Sequence, residues 1–109
     1  MEQDTHFDER EPTREEINAL RGPVVLEFGA SWCPHCQVLR PQLAALLQQY
    51  PAVRHIKVED GRGKPLGRSF RVKLWPTLVF LRDGHVIDQV SRPERDQVRA
   101  GLDAIAPAT

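Results

Sequence analysis

Cysteine is scarce in this chain: its 109 residues hold only two. A disulfide-stapled scaffold needs several bridges, so that class is excluded. A closed zinc site built from cysteine pairs wants four ligands, and no second pair exists to complete one. No metal is expected. An excess of one charge is also missing, since 15 Lys and Arg balance 15 Asp and Glu. Without a basic field, neither nucleic acid nor an anionic membrane surface is expected as a partner. No apolar run approaches the roughly 20 residues that a bilayer-spanning helix requires. The first residues, Met1-Glu2-Gln3-Asp4, show no basic patch followed by an apolar core. The expectation is a soluble, cytoplasmic monomer with no membrane partner. Repeats and linker-like stretches are lacking too, and the length suits one domain able to bury its own core.

What is present reads in order along the chain. Residues 1–11 are charged and unpatterned, a mobile segment with at most a short edge strand around His6-Phe7, and the domain is taken to run over 12–109. Thr13-Arg14-Glu15-Glu16 fits a capping box, and Ile17 and Leu20 give the short helix behind it an apolar face. Gly22-Pro23 ends that helix, and residues 24–30 read as a strand covered on both faces. Over 33–50 the apolar residues Leu39, Leu43, Leu46, Leu47 and Tyr50 recur at helical spacing, with Pro41 interrupting the ladder, so a long kinked helix is expected. Residues 53–59 form a second strand candidate, and 61–71 a loop with one helical turn. Asp83-Gly84 between residues 77–81 and 85–90 signals an antiparallel hairpin. Val98, Leu102 and Ile105 share one face of a final helix after Pro93. This order implies an α/β fold, a mixed sheet with helices on both sides.

The two cysteines stand at Cys-X-X-Cys spacing in Trp32-Cys33-Pro34-His35-Cys36, between the first strand and the long helix. That position sets a thiol against the free N–H groups and positive dipole end of a helix, which favour the thiolate. Cys33, first in the helix and nearer solvent, is the expected nucleophile, and Cys36, one turn inward, the resolving thiol. His35, by donating a proton or carrying charge, would favour the Cys33 thiolate and make the pair more oxidising. A solvated helix residue is its rival reading. Glu27 lies inside an apolar run, where an unpaired carboxylate is costly, so it should have a raised pKa or a partner such as Lys57. The two could equally be a structural ion pair. Trp32 and Trp75 read either as core or as the apolar rim of a substrate groove. His6, His55 and His85 have no evident partners and read as surface residues.

Glu27-Phe28-Gly29-Ala30-Ser31-Trp32-Cys33-Pro34-His35-Cys36, with Pro41 beyond the second cysteine and Trp75-Pro76-Thr77 opening a later strand, resembles the thioredoxin family over nearly the whole chain. The resemblance implies a three-layer α/β/α sandwich around a central mixed sheet. It also implies a cis Trp75-Pro76 bond facing the cysteines, and a Glu27 that accepts a proton from beneath Cys36. The sequence departs from the family in three places. Pro34-His35 replaces the usual Gly-Pro and is similar to the pair in oxidising DsbA-type proteins, although the chain has no room for their helical insertion. Trp75 is bulkier than the usual aliphatic residue. Ser91-Arg92 stands where a Val-Gly pair often shapes the substrate groove, so Ser91, Arg92 and Thr77 join the candidate substrate-binding residues.

The function implied is a thiol-disulfide oxidoreductase that exchanges a Cys33–Cys36 disulfide with protein substrates, reducing them in the cytosol, with a more oxidising potential than thioredoxin proper. It needs no bound cofactor, because the two thiols hold the electrons. A reductase or glutathione would supply those electrons. The alternative is a non-catalytic peptide-binding or chaperone module on the same fold.

Overall fold

The structure, a computed structural model, describes residues 11–107. The suggested edge strand at His6-Phe7 and most of the segment read as mobile lie outside the described residues. Eight elements follow: α1 (Arg14–Asn18), β1 (Pro23–Gly29), α2 (Pro34–Leu47), β2 (Arg54–Glu59), α3 (Pro65–Ser69), β3 (Thr77–Arg82), β4 (His85–Ser91) and α4 (Arg95–Ile105). Among the described residues the strands form one sheet in the order β2-β1-β3-β4. The β1/β2 pair is parallel, whereas β1/β3 and β3/β4 are antiparallel. The two faces of β1 are covered by different helices, as the unbroken apolar run predicts. Val25 joins Leu39, Leu43 and Leu46 of α2 and Val98, Leu102 and Ile105 of α4 in one core. Val24, Leu26 and Phe28 join Ile17 of α1 and Leu66 of α3 in the other. The result is the expected three-layer sandwich.

The local signals behave as their chemistry requires. Thr13 Oγ1 accepts from the Glu16 N–H at 3.0 Å, and Glu16 Oε1 accepts from the Thr13 N–H at 2.9 Å, closing the capping box of α1. Asp83 and Gly84 both take positive φ, 51° and 82°, the pairing that a two-residue primed turn demands. Two features differ from expectation. Helix α2 ends at Leu47, not at Tyr50, and Gln49 and Tyr50 close the end with short bonds to Leu46 and Leu47. Pro51 disfavours helical backbone at residue 50, which explains the early stop. Between β2 and β3 the single expected turn is a defined helix, α3, begun by Pro65 at its first position. Pro41 lies within α2, as foreseen.

Candidate active site

The sheet register defines two ends. Gly29, Glu59, Thr77 and Ser91 mark one; Pro23, Arg54, Arg82 and His85 mark the other. The cysteines sit at the first, where the parallel strands finish. There β1 gives way to a short turn, and the Cys33 N–H bonds the Ala30 carbonyl at 3.1 Å. Cys33 has extended backbone and is the N-cap of α2. Pro34 follows at the first helical position, where its missing N–H leaves no bond unmade. The Cys33 side chain performs the capping itself: Cys36 N–H donates to Cys33 Sγ at 3.2 Å. A sulfur held this way meets both an N–H donor and the positive end of the helix dipole, which stabilise negative charge on it.

Both cysteines are free thiols. Cys36 is wholly buried and Cys33 is 4% exposed, so Cys33 is the more accessible, but it is more recessed than the sequence suggested. Ala30 packs with the pair, and Trp75 lies against this cluster. Burial pushes the Cys36 thiol up to about 11, and the adjoining Cys33 sulfur adds to the shift. Gly29 makes this depth possible. A Cβ there would stand 2.6 Å from Cys36 Sγ, so no side chain fits between the end of β1 and the buried thiol.

Two positions before Gly29, on the same face of β1, lies Glu27. It is fully buried. Lys57, the partner foreseen, is its register neighbour on β2. The geometry adds two further groups. His55 Nε2 lies 2.8 Å from Glu27 Oε1, and Arg40 Nε of α2 lies 3.8 Å from Oε2. Arg40 also donates through Nη2 to the Ala30 carbonyl at 3.1 Å, tying this group to the turn before Cys33. The reading of His55 as a surface residue is therefore corrected: its ring is buried against Glu27. Strand period offered a signal, since His55 stands two residues before Lys57 and must share its face. Which face was buried depended on a pairing that sequence spacing does not reveal.

Around the thiols the flanking residues form a rim. Trp32 is 69% exposed and meets the Trp75 ring edge-on, with centroids 5.5 Å apart. Trp75 is half-buried, and its Nε1 donates to Asp60 Oδ2 at 2.9 Å. The Trp75-Pro76 bond is cis, as the resemblance implied. Thr77 Oγ1 lies within 2.9 Å of Ser91 Oγ and donates to the Leu74 carbonyl at 2.6 Å. Arg92 donates from its backbone to the Pro76 carbonyl at 2.7 Å and from Nε to the Trp75 carbonyl at 3.0 Å. Its φ is 49°, the left-handed conformation that glycine favours. His35 is exposed on the first turn of α2, and its ring makes no hydrogen bond among the described residues. Among those residues no group of His, Cys, Asp and Glu could hold a metal.

Comparison with known proteins agrees with this geometry. Thioredoxin 2 from Pseudomonas aeruginosa PAO1, solved in its reduced form, superposes with a TM-score of 0.78 at 45% identity, covering 93% of this chain and 98% of that one. An H-type thioredoxin of Ricinus communis is 33% identical over 82 residues, 75% of this chain and 70% of that protein. A chain from a structure addressing thiol resolution in yeast mitochondrial 1-Cys peroxiredoxin via glutathione/thioredoxin systems superposes with a TM-score of 0.74 at 27% identity, covering 83% of this chain and 84% of its own. The thioredoxin family model matches residues 5–104, nearly the full length. With a free thiol pair at the start of α2 in that fold, the chain belongs to the thioredoxin family and is a thiol-disulfide oxidoreductase.

Proposed function

We propose that this chain reduces protein disulfides in the cytoplasm as a monomer, with Cys33 as nucleophile, Cys36 as resolving thiol and the buried Glu27 as the proton acceptor for Cys36. The observation that carries the reading is the Cys36 N–H donating to Cys33 Sγ at the helix cap. The Cys33 thiolate attacks one sulfur of the substrate disulfide, which breaks and releases the other sulfur as a thiolate. Cys36 then gives up its proton, and its sulfur bonds Cys33 Sγ. The Cys33-to-substrate bond breaks, and its electron pair leaves on the second substrate sulfur. The substrate gains two electrons and the enzyme holds a Cys33–Cys36 disulfide. A reductase or glutathione restores the dithiol, in keeping with the glutathione/thioredoxin systems of the yeast neighbour.

The second step carries the larger protonic demand, because a thiol held at about 11 seldom ionises unaided near neutrality. Glu27 shares the face of β1 that carries Gly29, the residue against which Cys36 Sγ packs, and His55 Nε2 lies 2.8 Å from Glu27 Oε1. Arg40 places a positive charge 3.8 Å from the carboxylate, and Lys57 is its register neighbour on β2. Trp32, Trp75, Pro76, Thr77, Ser91 and Arg92 form the groove that receives the substrate chain. The helix-cap bond to Cys33, with Pro34-His35 on the first turn, stabilises the reduced state, so the potential falls between the roughly −270 mV of thioredoxin and −120 mV of DsbA. The cytoplasmic assignment draws on the H-type relatives and on the described residues, where no helix is long and apolar enough to cross a membrane.

Insulin reduction with a dithiol donor tests the roles. Cys33→Ser removes turnover, whereas Cys36→Ser accumulates a mixed disulfide through Cys33; full activity in either variant refutes the assignment. In the Cys33→Ser protein, thiolate absorbance near 240 nm should titrate well above the ordinary thiol range, because burial still acts on Cys36. Glu27→Gln should slow resolution of the mixed disulfide by at least about tenfold near neutral pH in stopped-flow. Rates equal to the parent across pH reduce Glu27 to a structural role.

A further inference from the structure

Trp75, which packs against the cysteine cluster, also lines a cleft of about 600 Å³ shared with Asp60, Lys64, Arg68, Arg71 and Lys73. Charge is unbalanced there. Residues 61–73 carry Arg62, Lys64, Arg68, Arg71 and Lys73 and no Asp or Glu, in a chain whose formal charge is zero. Asp60 is the one carboxylate lining the cleft, and it already accepts from the Trp75 indole. The side chains of Lys64, Arg68, Arg71 and Lys73 make no hydrogen bond or ion pair among the described residues. Four cations thus line the cleft beside Trp75 against the single carboxylate of Asp60, with Glu11 accepting from the Leu66 N–H at the head of α3.

The backbone at Arg71 adds an independent observation. Helix α3 closes with Arg71 N–H bonded to the Arg68 carbonyl and Val72 N–H to the Gly67 carbonyl, both at 2.9 Å. This is a Schellman closure, and Arg71 occupies its left-handed position at φ 59°. Glycine suits that position best. The chain keeps a guanidinium there against the local preference, in the wall of the cleft.

We propose that this cleft docks an acidic segment of the protein substrate, close in sequence to the disulfide that Cys33 attacks. The proposal rests on the disulfide-reductase reading above and narrows its substrate class. Trp75 is common to the cleft and the cysteine site, so a chain lying over the thiols extends its neighbouring residues toward Lys64, Arg68, Arg71 and Lys73. Carboxylates there would meet cations that are only partly desolvated. Such pairs steer encounter and lower KM, and leave the sulfur chemistry alone.

Three disulfide peptides of equal length, flanked by Glu, Gln or Lys, test this with the full chain. At low ionic strength the Glu-flanked peptide should exceed the Lys-flanked one in kcat/KM by about tenfold. Added salt at about 0.5 M should remove most of the advantage. Arg71→Gly suits the left-handed position and Arg68→Glu lies on the exposed face of α3, so both should fold. Each should cut the preference severalfold through KM while turnover of the Gln-flanked peptide stays unchanged. Equal kcat/KM for the Glu- and Lys-flanked peptides, or a preference that survives both variants, overturns the proposal. A disulfide-free Glu-rich peptide reads the cleft without turnover, through amide shifts of residues 61–73 on titration. Shifts without turnover sink the reductase reading alone; turnover without charge preference or shifts sinks the cleft alone.

Discussion

At the hairpin end of the sheet the backbone turns left-handed at Gly22, Asp83 and Gly84, while at the cysteine end Arg71 and Arg92 do so beside the glycines Gly61 and Gly63. The hairpin end uses residues that tolerate the conformation: glycine lacks the clashing Cβ, and Asp is among the side chains that accept it. Asp83 also works there, since its Oδ1 accepts from the Gly22 N–H at 2.8 Å and ties the turn to the start of β1. At the other end two bulky cations take the same conformation, a carboxylate is buried under α2, and two free thiols lie in a cluster packed against a tryptophan. Local preference and tertiary structure agree where the chain only has to fold. They conflict where it has to react, which is where stability is given up for chemistry.

Gly84→Ala should give the largest stability effect. A Cβ at this position would stand 1.9 Å from the Asn18 carbonyl oxygen, with φ at 82°. The loss should be about 2–3 kcal/mol in chemical denaturation, with insulin reduction per folded molecule unchanged. A fall in specific activity equal to the fall in stability would mean that the two ends are not independent.

The converse change at the cysteine end is Glu27→Leu with His55→Leu. Replacing a buried ionisable pair by apolar side chains of similar volume removes the cost of desolvating it. Glu27 Oε2 makes no hydrogen bond, so that cost is only partly offset. The double variant also takes the counter-charge from the partly exposed Arg40, so its stability should change by no more than about 1 kcal/mol, while mixed disulfides resolve at least about tenfold more slowly. A larger loss of stability would show that the polar group holds the fold together, and the contrast between the ends would fail.

The same division governs what could be read in the sequence. The capping box at Thr13 and Glu16, the Asp83-Gly84 turn and the helix-start position of Cys33 depend on neighbours within four residues, so spacing reveals them. The apolar run of β1 announces its burial for the same reason. His55 was misread because its contact with Glu27 depends on a parallel crossover that spans α2. Helix α3 was hard to recognise because a single turn carries only Leu66 and Phe70 as a pattern, too few to display a period. No sequence rule predicts Arg71 and Arg92 at positive φ, since local preference argues for glycine at both.

Arg92→Gly should have the smallest effect and gives the sharpest test of that conflict. Glycine at φ 49° is spared the clash between Cβ and the following carbonyl, which costs roughly 1–2 kcal/mol for an L-residue. Against this stands the lost bond from Arg92 Nε to the Trp75 carbonyl, which is exposed and therefore modest, about 0.5–1 kcal/mol. The balance favours the variant by about 0.5–1 kcal/mol, a small rise in the denaturation midpoint. The backbone bond from residue 92 to the Pro76 carbonyl survives, so the strand ends stay joined. The freed Trp75 carbonyl then becomes an acceptor for a substrate backbone, and KM for a neutral disulfide peptide should fall. A variant that is less stable, with KM unchanged, would mean that Arg92 is a structural clasp and that its strained backbone owes nothing to the groove.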